Sequence, residues 1–410
     1  MSEPGSSAAS AGTGEGGANT EAGDQQPRDD NEDSFSDISD SELLQLQDAT
    51  ETGDRSLSEK QTKQAEDRRT GLESINVNAE AGEGSHQVQT GENRSKDFLQ
   101  RKRKTEGETP LERYSMRYLS VTDICSQVWC EQQMIYKMEQ PLLIEPEKTA
   151  AMSEGSSIHL ARELEVHDVV SVTTQTREDR WAIKCLNILA MIPVLQGGGR
   201  VREFPVFREL DGVYVVGVID ELGYSSKGEL ELRELKTRAT PTLPGSAQRR
   251  SHEIQVSIYK ILFDGMVSGV LQADVLIQHL KLRPEQELGP PVKEHAMKCG
   301  LTVSTFKDVM ELTCLNLTYS DLPMIDSLKL EYCFQGDGSL LGCDEVTFQK
   351  EKVLDQVTFY LSYWKGLRDF QGVDIEDAWK CRMCDYSSIC EWRAQKTKNI
   401  AFRTFNKRFK

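Results

Sequence analysis

The sequence predicts an α/β fold, in which helices surround a β-hairpin and a long acidic segment that does not fold comes first. Three observations carry this. Residues 1–100 are dominated by Ser, Gly, Ala, Glu, Asp, Gln and Thr, with few aromatics. Such a segment cannot bury enough apolar surface to offset the entropy of ordering it. From about Tyr118 onward, apolar residues recur at helical spacing. Between Gly212 and Thr237 the period drops to two, on either side of a turn.

Charge follows the same division. The chain carries a net −17, and residues 1–100, with 22 Asp+Glu against 8 Lys+Arg, hold −14 of it, leaving −3 for the rest. Acidity therefore belongs to the tail (1–105) and does not argue against nucleic acid as a ligand, since a local basic groove sets phosphate affinity. No apolar run approaches a membrane span, and the start is neither an apolar signal nor an Arg-rich presequence. The expected setting is intracellular and reducing, with no membrane partner. Within the tail, acidic residues alternate with Phe35, Ile38, Leu43 and Leu44, a pattern that suits docking to a protein partner. Arg101-Lys102-Arg103-Lys104 reads as a nuclear localisation signal or a set of phosphate contacts; the first reading predicts the nucleus, with the cytosol as a second location.

Along the folded part, Ser120-Val121-Thr122-Asp123 is a capping box that opens a helix running to about Met138. Further helices are predicted over Ser156–Glu165 and Arg177–Ala190. The hairpin joins Gly212–Leu222 to Glu229–Thr237 through Ser225-Ser226-Lys227-Gly228. A helix follows over Gln248–Val267, then strands over Asp274–Leu282 and Leu328–Phe334. Asp344–Phe370 reads as mostly helix.

The hairpin carries the strongest chemistry. Leu230, Leu232, Glu234 and Lys236 share a strand face, as do Val216, Val218 and Asp220. Each apolar face thus ends in an acid at the edge of the core. Two carboxylates on adjacent strands make a divalent-cation site, and Mg²⁺ favours few protein carboxylates plus water and phosphate. A lysine two residues from a ligand can position the attacking water. Gln255 and Tyr259 share a helix face after the hairpin, and His159 and Glu163 share one before it.

Cys381, Cys384 and Cys390 form a C-x2-C-x5-C pattern near the C-terminus. In a reducing compartment this spacing points to a metal, which needs a fourth thiolate. Cys130 is the better candidate, since it lies roughly opposite Val128 on the first helix, whereas Cys125 falls in that helix's apolar stripe. Spacing does not separate zinc from iron–sulfur. Cys185, on the apolar side of its helix, reads as core. Past Cys390 the segment 396–410 interleaves Lys398, Arg403, Lys407 and Arg408 with Phe402, Phe405 and Phe409, a mixture that suits single-stranded nucleic acid.

Together these motifs, over about residues 115–395, resemble the RecB-type nucleases of the PD-(D/E)xK superfamily, and most closely the eukaryotic exonuclease V family. Gly155-Ser156-Ser157-Ile158-His159 resembles that family's N-terminal histidine motif, Val218-Ile219-Asp220 its metal-binding aspartate, Glu234-Leu235-Lys236 its E-x-K element, and Gln255 with Tyr259 its Q-x-x-x-Y motif. One upstream and three downstream cysteines are similar to its cluster. Many bacterial members place a proline after the first cysteine, where this chain has Glu131, and this keeps Cys125 as a rival to Cys130. The resemblance implies a mixed central sheet flanked by helices and a [4Fe–4S] cluster on Cys130, Cys381, Cys384 and Cys390. It implies one or two Mg²⁺ ions on Asp220 and Glu234 with His159 close by, and Lys236 orienting the water. Gln255 and Tyr259 would contact the strand or brace the lysine. The implied activity is exonucleolytic hydrolysis of single-stranded DNA by a monomer, releasing short oligonucleotides, in DNA repair. The alternatives are a structure-specific endonuclease on the same core and an inactive DNA-binding adaptor.

Overall fold

Thr109 and Ser120 each cap a helix in the same reciprocal way, and between them they fix how the chain enters its core. Thr109 caps α1 (Pro110–Arg113) and Ser120 ends the two-residue strand β1 (Leu119–Ser120) and caps α2 (Val121–Glu139). The computed structural model describes residues 107–140, 146–166 and 172–397. The expectations for the acidic tail, the Phe35–Leu44 segment, the Arg101–Lys104 run and the chain from 398 onward lie outside these residues.

Next come α3 (Pro146–Leu164) and α4 (Arg177–Gln196), both longer than their sequence pattern predicts. Strands β2 (Val201–Leu210), β3 (Val213–Tyr224) and β4 (Leu230–Arg238) lead into α5 (Ser246–Val267). Helices α6 (Ala273–Leu280), α7 (Pro290–Lys298) and α8 (Phe306–Tyr319) connect to β5 (Ser327–Phe334) and β6 (Leu340–Glu345). Helix α9 (Lys350–Trp364), a 3₁₀ helix (Ile375–Arg382) and a short helix over 391–397 close the described chain.

The six strands form one mixed sheet in the order β1-β3-β4-β5-β6, with β2 on the other side of β3. β1 runs parallel to β3 and β4 parallel to β5, while β2–β3, β3–β4 and β5–β6 are antiparallel. Helices cover both faces. Phe204 meets Phe263 of α5, and Phe207 meets Trp181 of α4. Residues three apart on a strand point to opposite faces, so these two helices sandwich β2. Cys185 is fully buried in this core, as its helix face predicts. Among the described residues no helix is long and apolar enough to cross a membrane.

Two predicted elements need correction, and three of the longer observed ones were not predicted. Asp274–Leu282 is a helix (α6), because Leu276, Ile277 and Leu280 bury while Val275 faces out. That is helical spacing, which a run this short does not distinguish from a buried strand. Asp344 and Glu345 belong to β6, and the helix expected over Asp344–Phe370 spans Lys350–Trp364. Strand β2, together with α7 and α8, has no counterpart among the predicted elements.

Gly217 sets how closely α5 approaches the sheet. A Cβ there would stand 2.5 Å from Cε1 of Tyr259 and 2.9 Å from Cγ2 of Val121. Both neighbours are fully buried, so neither can swing away. Gly217→Ala is expected to destabilise the protein by about 1–3 kcal/mol through overpacking and to displace Tyr259. Chemical denaturation checks this, and an unchanged midpoint refutes it.

Candidate active site and thiol cavity

The site is built where the sheet forks. β3 and β4 pair over Glu221–Tyr224 and Leu230–Arg233, and then part. β4 continues along β5, while the vacated edge of β3 is taken by β1 at Val215 and Val216. Because Glu221 faces Arg233, the first row beyond the ladder sets Asp220 against Glu234. On the other side Arg202 faces Glu221 and Phe204 faces Ile219, so Glu203 stands opposite Asp220. Three carboxylates thus line one row across β2, β3 and β4.

Each is held by the fold. The backbone N–H of Leu235 donates to Asp220 Oδ2 at 2.7 Å, so the aspartate side chain bridges the fork where the ladder stops. Glu234 Oε1 accepts from Lys236 Nζ at 3.1 Å and from Gln255 Nε2 at 2.9 Å, and Gln255 also donates to Tyr259 Oη at 3.0 Å. Asp220, Glu234, Lys236, Gln255 and Tyr259 are all buried. Glu203 has φ +53, a left-handed backbone that costs a non-glycine residue about 1–3 kcal/mol and collects at functional sites.

Helix α3 brings His159 over the row, with Nδ1 3.7 Å from Asp220 Oδ2. Arg162, three residues on, anchors that helix to β5 through Glu331 Oε2 at 3.1 Å and Cys333 Sγ at 3.2 Å. Ligand atoms of His159, Glu203 and Asp220 all lie within 4.8 Å of one another. Glu234 is not in that group, being turned toward Lys236 and Gln255. Glu203 is the residue that sequence reasoning missed. The signal for its strand was Asp211-Gly212, a two-residue turn with φ +49 and +79 that pairs Leu210 with Val213 and is a strong hairpin mark.

A second centre lies along the C-terminal half of α2. Cys130, Cys381, Cys384 and Cys390 line one cavity, together with Trp129, Gln132, Tyr136 and Trp392. Cys125 is instead part of the hydrophobic core. The backbone of α2 leaves the helix at Cys130 (φ −169, ψ 110), so a kink, and not a straight helical face, delivers this sulfur. Burial pushes the Cys130 thiol up to about 11, with Cys384, Cys381 and Cys390 adding to the rise and the Gln133 backbone N–H opposing it. Burial raises Cys381 and Cys384 as well.

The kink is pinned by Glu131, which is buried. Its carboxylate accepts from both guanidinium nitrogens of Arg368, from Gln371 N at 2.7 Å and from Gln127 Nε2 at 3.1 Å. Charge at this position therefore ties α2 to the segment leading into the C-terminal cysteines. Glu131→Ala leaves the half-buried Arg368 guanidinium and the Gln371 N–H without their carboxylate, and is expected to cost about 1–3 kcal/mol. A urea titration that shows less than 1 kcal/mol (~1) of loss would contradict that role.

Carboxylates, an imidazole and an ammonium converging at an open strand fork suit a metal-assisted hydrolase of phosphodiesters, the chemistry of a nuclease. A sequence model for the family described as "Exonuclease V - a 5′ deoxyribonuclease" matches residues 109–234, 224–311 and 301–393. Exonuclease V of Danio rerio is 47% identical over 286 residues, covering 70% of this chain and 73% of that protein. The crystal structure of SSO0001 aligns at 14% identity with a TM-score of 0.32, covering 68% of this chain and 87% of that one. The chain belongs to the exonuclease V family and is a DNA exonuclease.

Proposed function

We propose that the protein hydrolyses single-stranded DNA from a free end, on a PD-(D/E)xK core that uses Mg²⁺ and is closed by a [4Fe–4S] cluster. The observation that carries the reading is the carboxylate row at the strand fork. Oxygen donors suit Mg²⁺, whose octahedral ligands at ~2.1 Å stand about 3–4 Å apart, and the His159–Glu203–Asp220 group needs little contraction to reach that spacing. Glu234, one strand over, is the carboxylate available to the same ion or to a second. When bound, the metal supplies Lewis-acid polarisation of the phosphate and a more acidic water.

The chain's own residues do the rest. Asp220 and Glu203 offer negative charge at a fixed place. Gln255, braced by Tyr259, holds Glu234, and Glu234 holds Lys236 with its ammonium at the fork. From there Lys236 can orient the attacking water and offset charge on the phosphate.

Four cysteines lining one cavity suit a thiolate-held metal centre, and membership of the exonuclease V family supports reading that centre as the [4Fe–4S] cluster rather than zinc. A role in DNA repair, a monomeric state and a nuclear location complete the proposal.

Linear and covalently closed circular single strands of the same sequence test it. The linear substrate is expected to be degraded with Mg²⁺ and the circle spared. Cleavage of the circle at a comparable rate would establish the endonuclease instead.

A further inference from the structure

The thiol cavity carries a polar group that the fold itself does not satisfy. Gln132 lines this cavity and is 4% exposed. Its Nε2 is buried and has no hydrogen-bond partner within the chain. An unsatisfied buried donor costs about 1–3 kcal/mol, and each such group calls for an explanation; this one is the one that lines the thiol cavity.

Its neighbours sharpen the point. Gln127 and Glu131 are both engaged, with Trp364 Nε1 donating to Gln127 Oε1 at 2.8 Å and Arg368 pairing with Glu131. The backbone N–H of Gln133 already serves Cys130, and that of Tyr386 serves Cys384. N–H groups thus point at these sulfurs from two sides, and the amide of Gln132 is a third donor at the same cavity. A carbonyl oxygen turned toward four thiolates would be repelled, so the NH₂ end is the one that belongs there.

We propose that Gln132 donates an N–H···S hydrogen bond to the sulfur-rich group held by Cys130, Cys381, Cys384 and Cys390, and so raises the group's reduction potential. This rests on the cluster reading above. A donor at sulfur stabilises the more negative, reduced state, and hydrogen bonds to the sulfurs are among the main controls of cluster potential. Gln132 is thus a positioning and tuning residue and not a ligand.

The test is a redox titration of full-length protein purified without oxygen, followed by visible absorption, with iron and sulfide counted per chain. Gln132→Leu is expected to lower the midpoint potential. Gln132→Glu should lower it further by adding negative charge, and Gln132→Asn, which keeps the donor on a shorter arm, should recover part of the shift. Metal-free Gln132→Leu should melt above the metal-free parent because the orphaned amide is gone, while its loaded form loses colour faster in air. Fully loaded Leu and Glu variants that keep the parent's midpoint overturn the hydrogen bond and leave the cluster standing. A colourless parent holding one zinc per chain overturns the cluster reading itself, and this inference with it.

Discussion

Asp220→Asn is expected to leave the protein folded and able to bind single-stranded DNA, with hydrolysis reduced by three orders of magnitude or more. The asparagine Oδ1 can still accept from the Leu235 N–H that Asp220 holds at 2.7 Å, so the fork keeps its geometry. What disappears is the central charge in the row Glu203–Asp220–Glu234. Charge stabilisation by a bound metal is worth several kcal/mol, and each 1.36 kcal/mol (about) is tenfold in rate. The same charge repels its two neighbours when no cation is present, so the variant should melt at or above the parent's temperature in EDTA. Activity and metal-free stability then move in opposite directions, which loss of structure cannot mimic. Retention of more than about a tenth of the parent rate (a deficit below ~1.4 kcal/mol) would remove Asp220 from the catalytic site. Lys236→Ala should also end hydrolysis but with the opposite effect on stability, since Glu234 then keeps a buried charge whose nearest cation is gone.

Much of this site was legible in the sequence, for identifiable reasons. A period-two pattern fixes which residues share a strand face, so Glu234 with Lys236, and Asp220 with Val216, follow from spacing alone. The fork does not, because where two strands part depends on who else pairs with them. β5 holds β4, and β1 takes the freed edge of β3, and both pairings are non-local. Glu203 was hidden for a different reason. Its strand carries Pro205 and three further charged residues, Arg202, Arg208 and Glu209, which blur the alternation, so the Asp211-Gly212 turn went unread. Cys130 was reached as a ligand candidate by a helix-face argument, yet the structure delivers it by a kink at that residue. The kink depends on Arg368, which is 237 positions away in the chain, and no local pattern contains it.

Removing one thiolate, as in Cys381→Ser, is expected to release the C-terminal segment 366–397 while the sheet and its helices stay folded. Within that segment Val373, Lys380 and Tyr386 are the buried residues, and the rest are half-buried or exposed. Burying a valine and a tyrosine contributes about 1.5–3 kcal/mol each. Ordering the backbone of a segment this long costs roughly 1–2 kcal/mol per residue, about ten times what those two side chains return. The polar contacts narrow the gap without closing it. Glu131 holds Arg368 and Gln371, Tyr386 stacks on Tyr136 at 5.5 Å, and Trp379 meets Trp129 at 5.9 Å. A four-thiolate metal site, worth on the order of 10–16 kcal/mol at neutral pH in small zinc domains, would be the largest single contribution holding this segment. The core has no such need, since β2–β5 and helices α4 and α5 bury a continuous cluster of their own. Limited proteolysis of Cys381→Ser, or of chelator-stripped parent, should therefore cut first between 366 and 397 and leave a resistant fragment ending near Trp364. If that segment is as protected in the variant as in the parent, the polar contacts hold the C-terminal segment in place and the metal is not its staple.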